Sequence, residues 1–129
     1  MNKLLIEWKH FDVNDATCER CTKTGYNLKL AIEELRKKYG TKGIDIVFKE
    51  TKLTKDQMPE SNQILLNEQL LENFIPSAKS GENCCNSCSD LIENVQNCNC
   101  RTVNIGSDVH EEVPVDLIMK AVENVISLN

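Results

Sequence analysis

An apolar stripe of helical period in the first third of the chain constrains its fold more than any other feature. Gly40 and Gly43 mark the end of this predicted helix and the start of the next element. Gly25 lies in its early part and costs about 1 kcal/mol relative to alanine, so we expect a kink or break there. The stripe follows the spacing i, i+3, i+4, i+7 and i+11 of one helix face: Leu28, Ala31, Ile32, Leu35 and Tyr39.

Strand signals flank this helix. Residues 3–8 read as a short buried strand and residues 9–16 as a loop. Residues 44–51 have the β-branched and aromatic content of a second strand. Residues 63–67 and 69–75 are predicted to form a β-hairpin that turns at Asn67 and Glu68.

The composition changes after Pro76. Residues 76–100 hold four serines, five asparagines and five cysteines, which predicts a loop-rich stretch around a short amphipathic segment at 90–95. One or two short strands are expected within 101–113. We therefore predict a single domain over 1–129 with a Cys-rich insertion at 76–113. A last helix follows Pro114, with an apolar stripe from Leu117 to Ile126.

The net charge of −5 argues against nucleic-acid binding, which calls for a basic patch or stripe. No apolar run reaches the roughly 18 residues of a membrane-spanning helix, and the N-terminus lacks the apolar core of a signal peptide. We therefore expect a cytoplasmic protein that binds neither nucleic acid nor membrane. Seven cysteines in such a chain suggest redox chemistry or metal binding, since the cytosol keeps thiols reduced.

Cys18 and Cys21 are separated by two residues and follow Thr17, a good helix N-cap. Only a thiolate is nucleophilic, and the partial positive charge of a helix N-terminus lowers the pKa of a thiol placed there. Cys18, at the expected first helical position, is the candidate nucleophile, and Cys21 is the candidate resolving thiol. The alternatives are a pair of metal ligands or a pair of buried, inert thiols.

This layout resembles the thioredoxin and glutaredoxin superfamily, in which the active-site pair opens the first helix after the first strand and a later hairpin abuts it. The chain is more closely similar to a family of small thioredoxin-like proteins with no established activity. The matching segments span nearly the whole chain: Ile6-Glu7-Trp8, Thr17-Cys18-Glu19-Arg20-Cys21, Thr24-Gly25, residues 61–67 (SNQILLN), Cys85-Asn86-Ser87-Cys88 and Cys100-Arg101-Thr102.

The resemblance implies a substrate-binding turn at Ser61 and Asn62. The superfamily has a cis-proline just before its third strand, facing the cysteine pair, whereas this chain has Asn62 there. A cis bond before a residue other than proline costs about 2.5–4 kcal/mol, so a trans bond is expected. The Asn62 amide is then a candidate hydrogen-bonding group for a bound thiol or peptide; alternatively, Asn62 is simply a turn residue.

A second group of cysteines lies within 17 residues. Cys85, Cys88, Cys98 and Cys100 form the candidate metal site, with Cys84 beside them. Four thiolates suit tetrahedral zinc, although the spacing of Cys98 and Cys100 is tighter than usual, and clustered thiolates also select other soft ions. Two further interpretations remain open. The cluster relays a disulfide from Cys18 and Cys21, or it forms disulfides or free thiols in a mobile loop.

Trp8 and His10 precede the cysteine pair in the sequence. His10 is a candidate neighbour of Cys18 that would favour its thiolate. Trp8 is expected in the core rather than over the pair.

Taken together, these features predict an α/β fold, a thioredoxin-like mixed sheet flanked by helices. The predicted activity is thiol–disulfide exchange with thiol or disulfide proteins or small thiols, without a cofactor. The alternative is a metal-binding module that holds zinc or another soft metal in the Cys84–Cys100 cluster.

Overall fold

The computed structural model describes residues 2–13, 16–17, 19–54, 57, 62–84 and 99–128. Its elements are the strands β1 (Lys3–Val13), β2 (Ala16–Thr17), β3 (Asp45–Leu53), β4 (Gln63–Leu66), β5 (Gln69–Leu70), β6 (Ala78–Cys84), β7 (Asn99–Ile105) and β8 (Asp108–His110), the helices α1 (Glu19–Gly40) and α2 (Val115–Ser127), and a short 3₁₀ helix, Leu71–Phe74. The mixed α/β class predicted from the sequence is confirmed.

The larger sheet is built around β1. β3 runs parallel to it from the pair Lys3 and Asp45 to the pair Phe11 and Leu53. β4 is antiparallel to β1 over residues 6–9, and β5 is antiparallel to β4. The four main strands therefore lie in the order β5-β4-β1-β3, while β2 pairs with the last two residues of β1.

β1 alternates between the core and the second face of the sheet. Leu4, Ile6, Trp8 and His10 are buried, and the residues between them are half-buried. A strand of period 2 that is covered on one face produces this pattern. Each fully buried leucine or isoleucine contributes about 1.5–3 kcal/mol relative to an exposed one.

Both helices pack into the same core. The stripe of α1 is buried as predicted, from Leu28 to Tyr39. In α2 the middle of the stripe, Ile118 to Val125, is buried and its two ends are partly buried, and α2 contacts both α1 and the 3₁₀ helix. No helix within the described residues is long and apolar enough to cross a membrane.

A second sheet holds β6, β7 and β8 in that order, all antiparallel. It joins the core through Val103, which is fully buried. Ser80 of β6 also donates a hydrogen bond to the carboxylate of Glu72 in the 3₁₀ helix. Glu72 is buried, with 3 % of its surface exposed.

Four local predictions are wrong. β1 continues to Val13, where a loop was predicted from residue 9, because pairing with β3 and β2 holds its polar end. The second arm of the hairpin ends at Leu70 and gives way to a 3₁₀ helix. Residues 78–84 form a strand instead of a loop. α1 passes Gly25 without a break. The expected amphipathic segment at 90–95 lies outside the described residues.

Candidate functional site

The predicted cysteine pair falls, in the sequence, where α1 begins. β2 ends at Thr17 and α1 begins at Glu19, so Cys18 stands in the sequence between the two elements and outside the described residues. Cys21 is the third residue of α1, and its side chain is likewise outside the described part. The backbone thus places Cys21 in the first helical turn, where N–H groups lack helical acceptors.

Trp8 lies directly beneath the start of this helix. It is 4 % exposed, which confirms the prediction that it belongs to the core. A Cβ atom built on Gly25 would stand 2.5 Å from Trp8 Cη2. Glycine at position 25 is therefore what allows the indole ring to reach the helix backbone, and its poor helix propensity has a packing reason.

Asn62 connects three segments beside Trp8. It is fully buried and has φ 70°, the left-handed region that asparagine tolerates better than most residues. Its backbone N–H donates to Lys9 O at 2.7 Å, and its Nδ2 donates to Glu111 O at 3.1 Å. Its Oδ1 accepts from Trp8 Nε1 at 3.4 Å.

These contacts fit a structural turn. The predicted substrate contact of Asn62 stays a prediction, and Ser61 lies outside the described residues.

The segment before α2 is fastened to the second turn of α1. The Val113 N–H donates to Thr24 Oγ1 at 3.1 Å, and Asn27 Nδ2 donates to Val113 O at 3.0 Å. Thr24 and Val113 are both buried. Sequence reasoning missed this contact, because a threonine three residues after Cys21 gives no sign of a partner 89 residues away.

His10 lies next to Trp8 on the buried face of β1. The two rings are stacked, with centroids 4.1 Å apart and planes inclined by 22°. His10 Nε2 is 3.0 Å from Glu50 Oε1, and His10 is 3 % exposed whereas the Glu50 side chain is 41 % exposed. His10 Nδ1 is buried and has no hydrogen-bond partner among the described residues. The sequence pointed to His10 but not to Glu50.

Two cysteines of the second cluster, Cys84 and Cys100, belong to the paired strands β6 and β7. Cys84 pairs with Asn99, and Cys100 pairs with Asn83. Cys84 and Asn99, the two residues that flank the segment 85–98 in the sequence, therefore lie side by side. Cys85, Cys88 and Cys98 belong to that segment and lie outside the described residues. Within the described residues, no group of three or more potential ligands is placed to hold a metal ion.

The chain belongs to a family described as a domain of unknown function, DUF2703, whose pattern matches residues 4–122. This result confirms the predicted membership of a family without an established activity. An uncharacterized protein of the archaeon Archaeoglobus fulgidus is 32% identical over 120 residues, which cover 90% of this chain and 82% of that protein. No solved structure matches the chain.

Proposed function

We propose that this protein is a thiol–disulfide oxidoreductase of thioredoxin-like fold in which Cys18 and Cys21 are the reacting groups. The observation that carries the proposal is the backbone position of the pair. The residue after Cys18 opens α1, and Cys21 falls in the first turn of that helix. Thiols in this position are close to the positive end of the helix dipole, which stabilises a thiolate.

The strand arrangement supports the thioredoxin-like assignment. β1 and β3 are parallel and connected by α1, and β4 and β5 form an antiparallel hairpin whose first strand pairs with β1. Asn62, at the start of β4, occupies the sequence position at which the superfamily has its proline.

In the proposed reaction, the Cys18 thiolate attacks a substrate disulfide and expels one substrate thiolate. Cys21 then attacks Cys18 and releases the second substrate thiolate, leaving a disulfide between Cys18 and Cys21. An external thiol or dithiol returns the pair to its reduced form. The partners are thiol or disulfide proteins or small thiols in the cytosol, and the reaction needs no cofactor.

The test is a reductase assay with insulin and with glutathione disulfide, using dithiothreitol as the electron source. Cys18→Ser should abolish the activity, and Cys21→Ser should accumulate a mixed disulfide that mass spectrometry detects at Cys18. Cys100→Ser is the matched control and should retain the activity. Full activity of Cys18→Ser would refute the proposal.

A metal-binding function of the Cys84–Cys100 cluster is the second candidate. It is favoured by the β6–β7 register, which places Cys84 beside Asn99 and Cys100 beside Asn83. Cys85, Cys88, Cys98 and Cys100 would supply four thiolates, which suit zinc or another soft metal.

Metal analysis of anaerobically purified protein tests this second candidate. One zinc per chain that is lost in Cys85→Ser and kept in Cys18→Ser would support it. Metal-free protein that stays folded in chelator would exclude it.

A further inference from the structure

The strand β3 lies at an open edge of the larger sheet. Among the described strands it pairs with β1 alone, so no strand lies along its other edge there. The Asp45 N–H donates to Asn2 O at 2.9 Å and therefore faces the β1 side. Because the backbone groups of successive strand residues point to opposite edges, the N–H and C=O groups of Ile46, Phe48 and Glu50 face outward. Outward groups of this kind are a template on which a further strand can pair.

Arg36 of α1 shows the same orientation of β3. Its Nε and Nη2 both donate to Ile46 O at 3.2 Å. The guanidinium therefore occupies the outer edge at Ile46, whereas the backbone from Phe48 to Glu50 has no such cover among the described residues. A guanidinium has five N–H donors, so Arg36 can hold this carbonyl and an anion at the same time.

A groove of about 400 Å³ is lined by α1 and β3 together. It has an apolar floor of two residues and a charged rim of four: Ile32 and Phe48, and Lys29, Glu33, Arg36 and Lys37. Three of the four rim residues are cations, although the chain as a whole has a net charge of −5. The groove therefore combines apolar surface with a local excess of positive charge.

The positive charge of the groove is incompletely neutralised. Lys37 Nζ lies 3.7 Å from Glu33 Oε1 and 3.9 Å from Glu34 Oε1, but all three side chains are exposed, so these contacts are weak. Lys29 has no ion-pair partner within the described part of the chain. It stands seven residues before Arg36, which is about two helical turns. An acidic segment that lies along the groove would therefore meet a cation at each end.

A second copy of this chain fits the groove poorly. Two copies related by a twofold axis present the same surface to each other, so the cations of one groove would face those of the other. Charged side chains, lysine above all, protect sheet edges from such pairing. An acidic segment of another protein is attracted by the same cations that repel a second copy.

We propose that the outer edge of β3 and the groove beside it form a docking site for an extended acidic segment of a partner protein. The segment pairs with the outward backbone groups of Phe48 and Glu50 as an added strand. One of its apolar side chains covers Phe48 and Ile32, and carboxylates on either side of it reach Arg36 and Lys29. The site does not involve the cysteine pair, so its test is independent of the proposed oxidoreductase function.

The probe is a fluorescein-labelled peptide, Thr-Glu-Thr-Val-Thr-Glu-Thr, which reads the same in both directions and so serves for parallel and antiparallel pairing. Its fluorescence anisotropy with the reduced, full-length protein measures the affinity. The double variant Lys29→Glu/Lys37→Glu should bind it about ten-fold more weakly and should prefer the peptide with lysine in place of both glutamates. Lys79→Glu/Lys120→Glu, at exposed lysines of β6 and α2, is the matched control and should keep the original affinity.

Hydrogen exchange of the backbone amides, followed by NMR, separates strand addition from electrostatic attraction alone. With the acidic peptide bound, the Phe48 and Glu50 amides should exchange about ten-fold more slowly, whereas the Val47 and Lys49 amides, which face β1, should keep their rates. Unchanged rates at Phe48 and Glu50, equal affinities of the two double variants, or no binding at millimolar peptide would overturn the inference. Slow exchange of these two amides without peptide, increasing with protein concentration, would also overturn it, because a second copy would then occupy the edge.

Discussion

The indole of Trp8 and the backbone of Gly25 approach so closely that a methyl group on residue 25 would stand 2.5 Å from Cη2 and 2.9 Å from Cζ3. The contact fixes α1 at one height above β1. It also explains a glycine in the interior of a 22-residue helix, where alanine would otherwise be preferred.

Gly25→Ala should therefore destabilise the protein. The gain of about 1 kcal/mol in helix propensity is outweighed by overpacking against a rigid buried ring, which costs about 1–3 kcal/mol. Urea unfolding followed by circular dichroism measures the difference. Gly40→Ala, where nothing lies within 4 Å of the new Cβ, is the control and should be neutral or stabilising. Equal effects of the two substitutions would contradict the packing argument.

Substitution of Asn62 should lower the stability of the protein for two separable reasons, lost hydrogen bonds and backbone strain. Asn62→Gly removes the hydrogen bonds to Trp8 and Glu111 but tolerates φ 70°, and we expect a loss of about 1–3 kcal/mol. Asn62→Ala should lose about 1 kcal/mol more, because alanine is strained in the left-handed region.

Chemical unfolding gives the energies for both Asn62 variants. The emission of Trp8, the sole tryptophan, should shift to the blue as the buried Nε1 loses its hydrogen-bond partner. Asn67→Gly is the control, since Asn67 also has positive φ but its side chain bonds to Leu5 N near the surface. Equal unfolding free energies for Asn62→Ala and Asn62→Gly would show that the left-handed backbone at position 62 does not destabilise alanine.

Thr24 should anchor the segment before α2. Thr24→Val keeps the shape of the side chain but removes the acceptor of the buried Val113 N–H, which costs about 1–3 kcal/mol. The Val113 amide should then exchange its hydrogen faster, as seen by NMR. Thr24→Ser retains the hydroxyl and should leave that exchange rate close to its original value. Faster exchange in Thr24→Ser with unchanged exchange in Thr24→Val would indicate that the methyl group, and not the hydrogen bond, matters.

Lys38 should keep its proton to higher pH than an ordinary lysine. The Glu123 carboxylate, 2.8 Å from its ammonium, raises the pKa of Lys38 above 10.5. The bonded form is the protonated one. The pair's contribution to stability is thus complete below pH 10.5 and is lost as the pH rises through the raised value.

An NMR titration of the lysine side chains measures this shift. Glu123→Gln should bring Lys38 back towards the other lysines, with little change in unfolding free energy, because exposed pairs contribute little. An unchanged Lys38 titration in Glu123→Gln would show that Glu123 is not the cause.

Local sequence patterns were sufficient to predict the two helices and the tight turn of the hairpin. Leu28 to Tyr39 and Leu117 to Ile126 showed their helical period directly in the sequence, and Asn67-Glu68 marked the tight turn. The strand β6 was missed because Ala78–Cys84 has little intrinsic β-propensity. Its conformation is imposed by pairing with β7, which is a tertiary effect. The end of β1 was missed for the same reason.

The candidate site divides in a similar way. Cys21 and Asn62 could be picked out from motif and position, and His10 from its closeness to Cys18 in sequence. Glu50 could not, because its contact with His10 depends on the parallel register of β1 and β3 across 40 residues. The link between Thr24 and Val113 likewise depends on how α1 and α2 pack. Contacts that require the register of distant elements leave no trace in local composition.

The central position of β1 has a consequence for how the molecule moves. β1 is paired with β3 over residues 3–11, with β4 on its other edge over residues 6–9, and with β2 over residues 12–13. Local opening that exposes β1 beneath α1 would have to break hydrogen bonds to more than one strand. The backbone beneath Trp8 and His10 thus belongs to the slowest-opening part of the fold. The strand thereby keeps the two rings in register with each other.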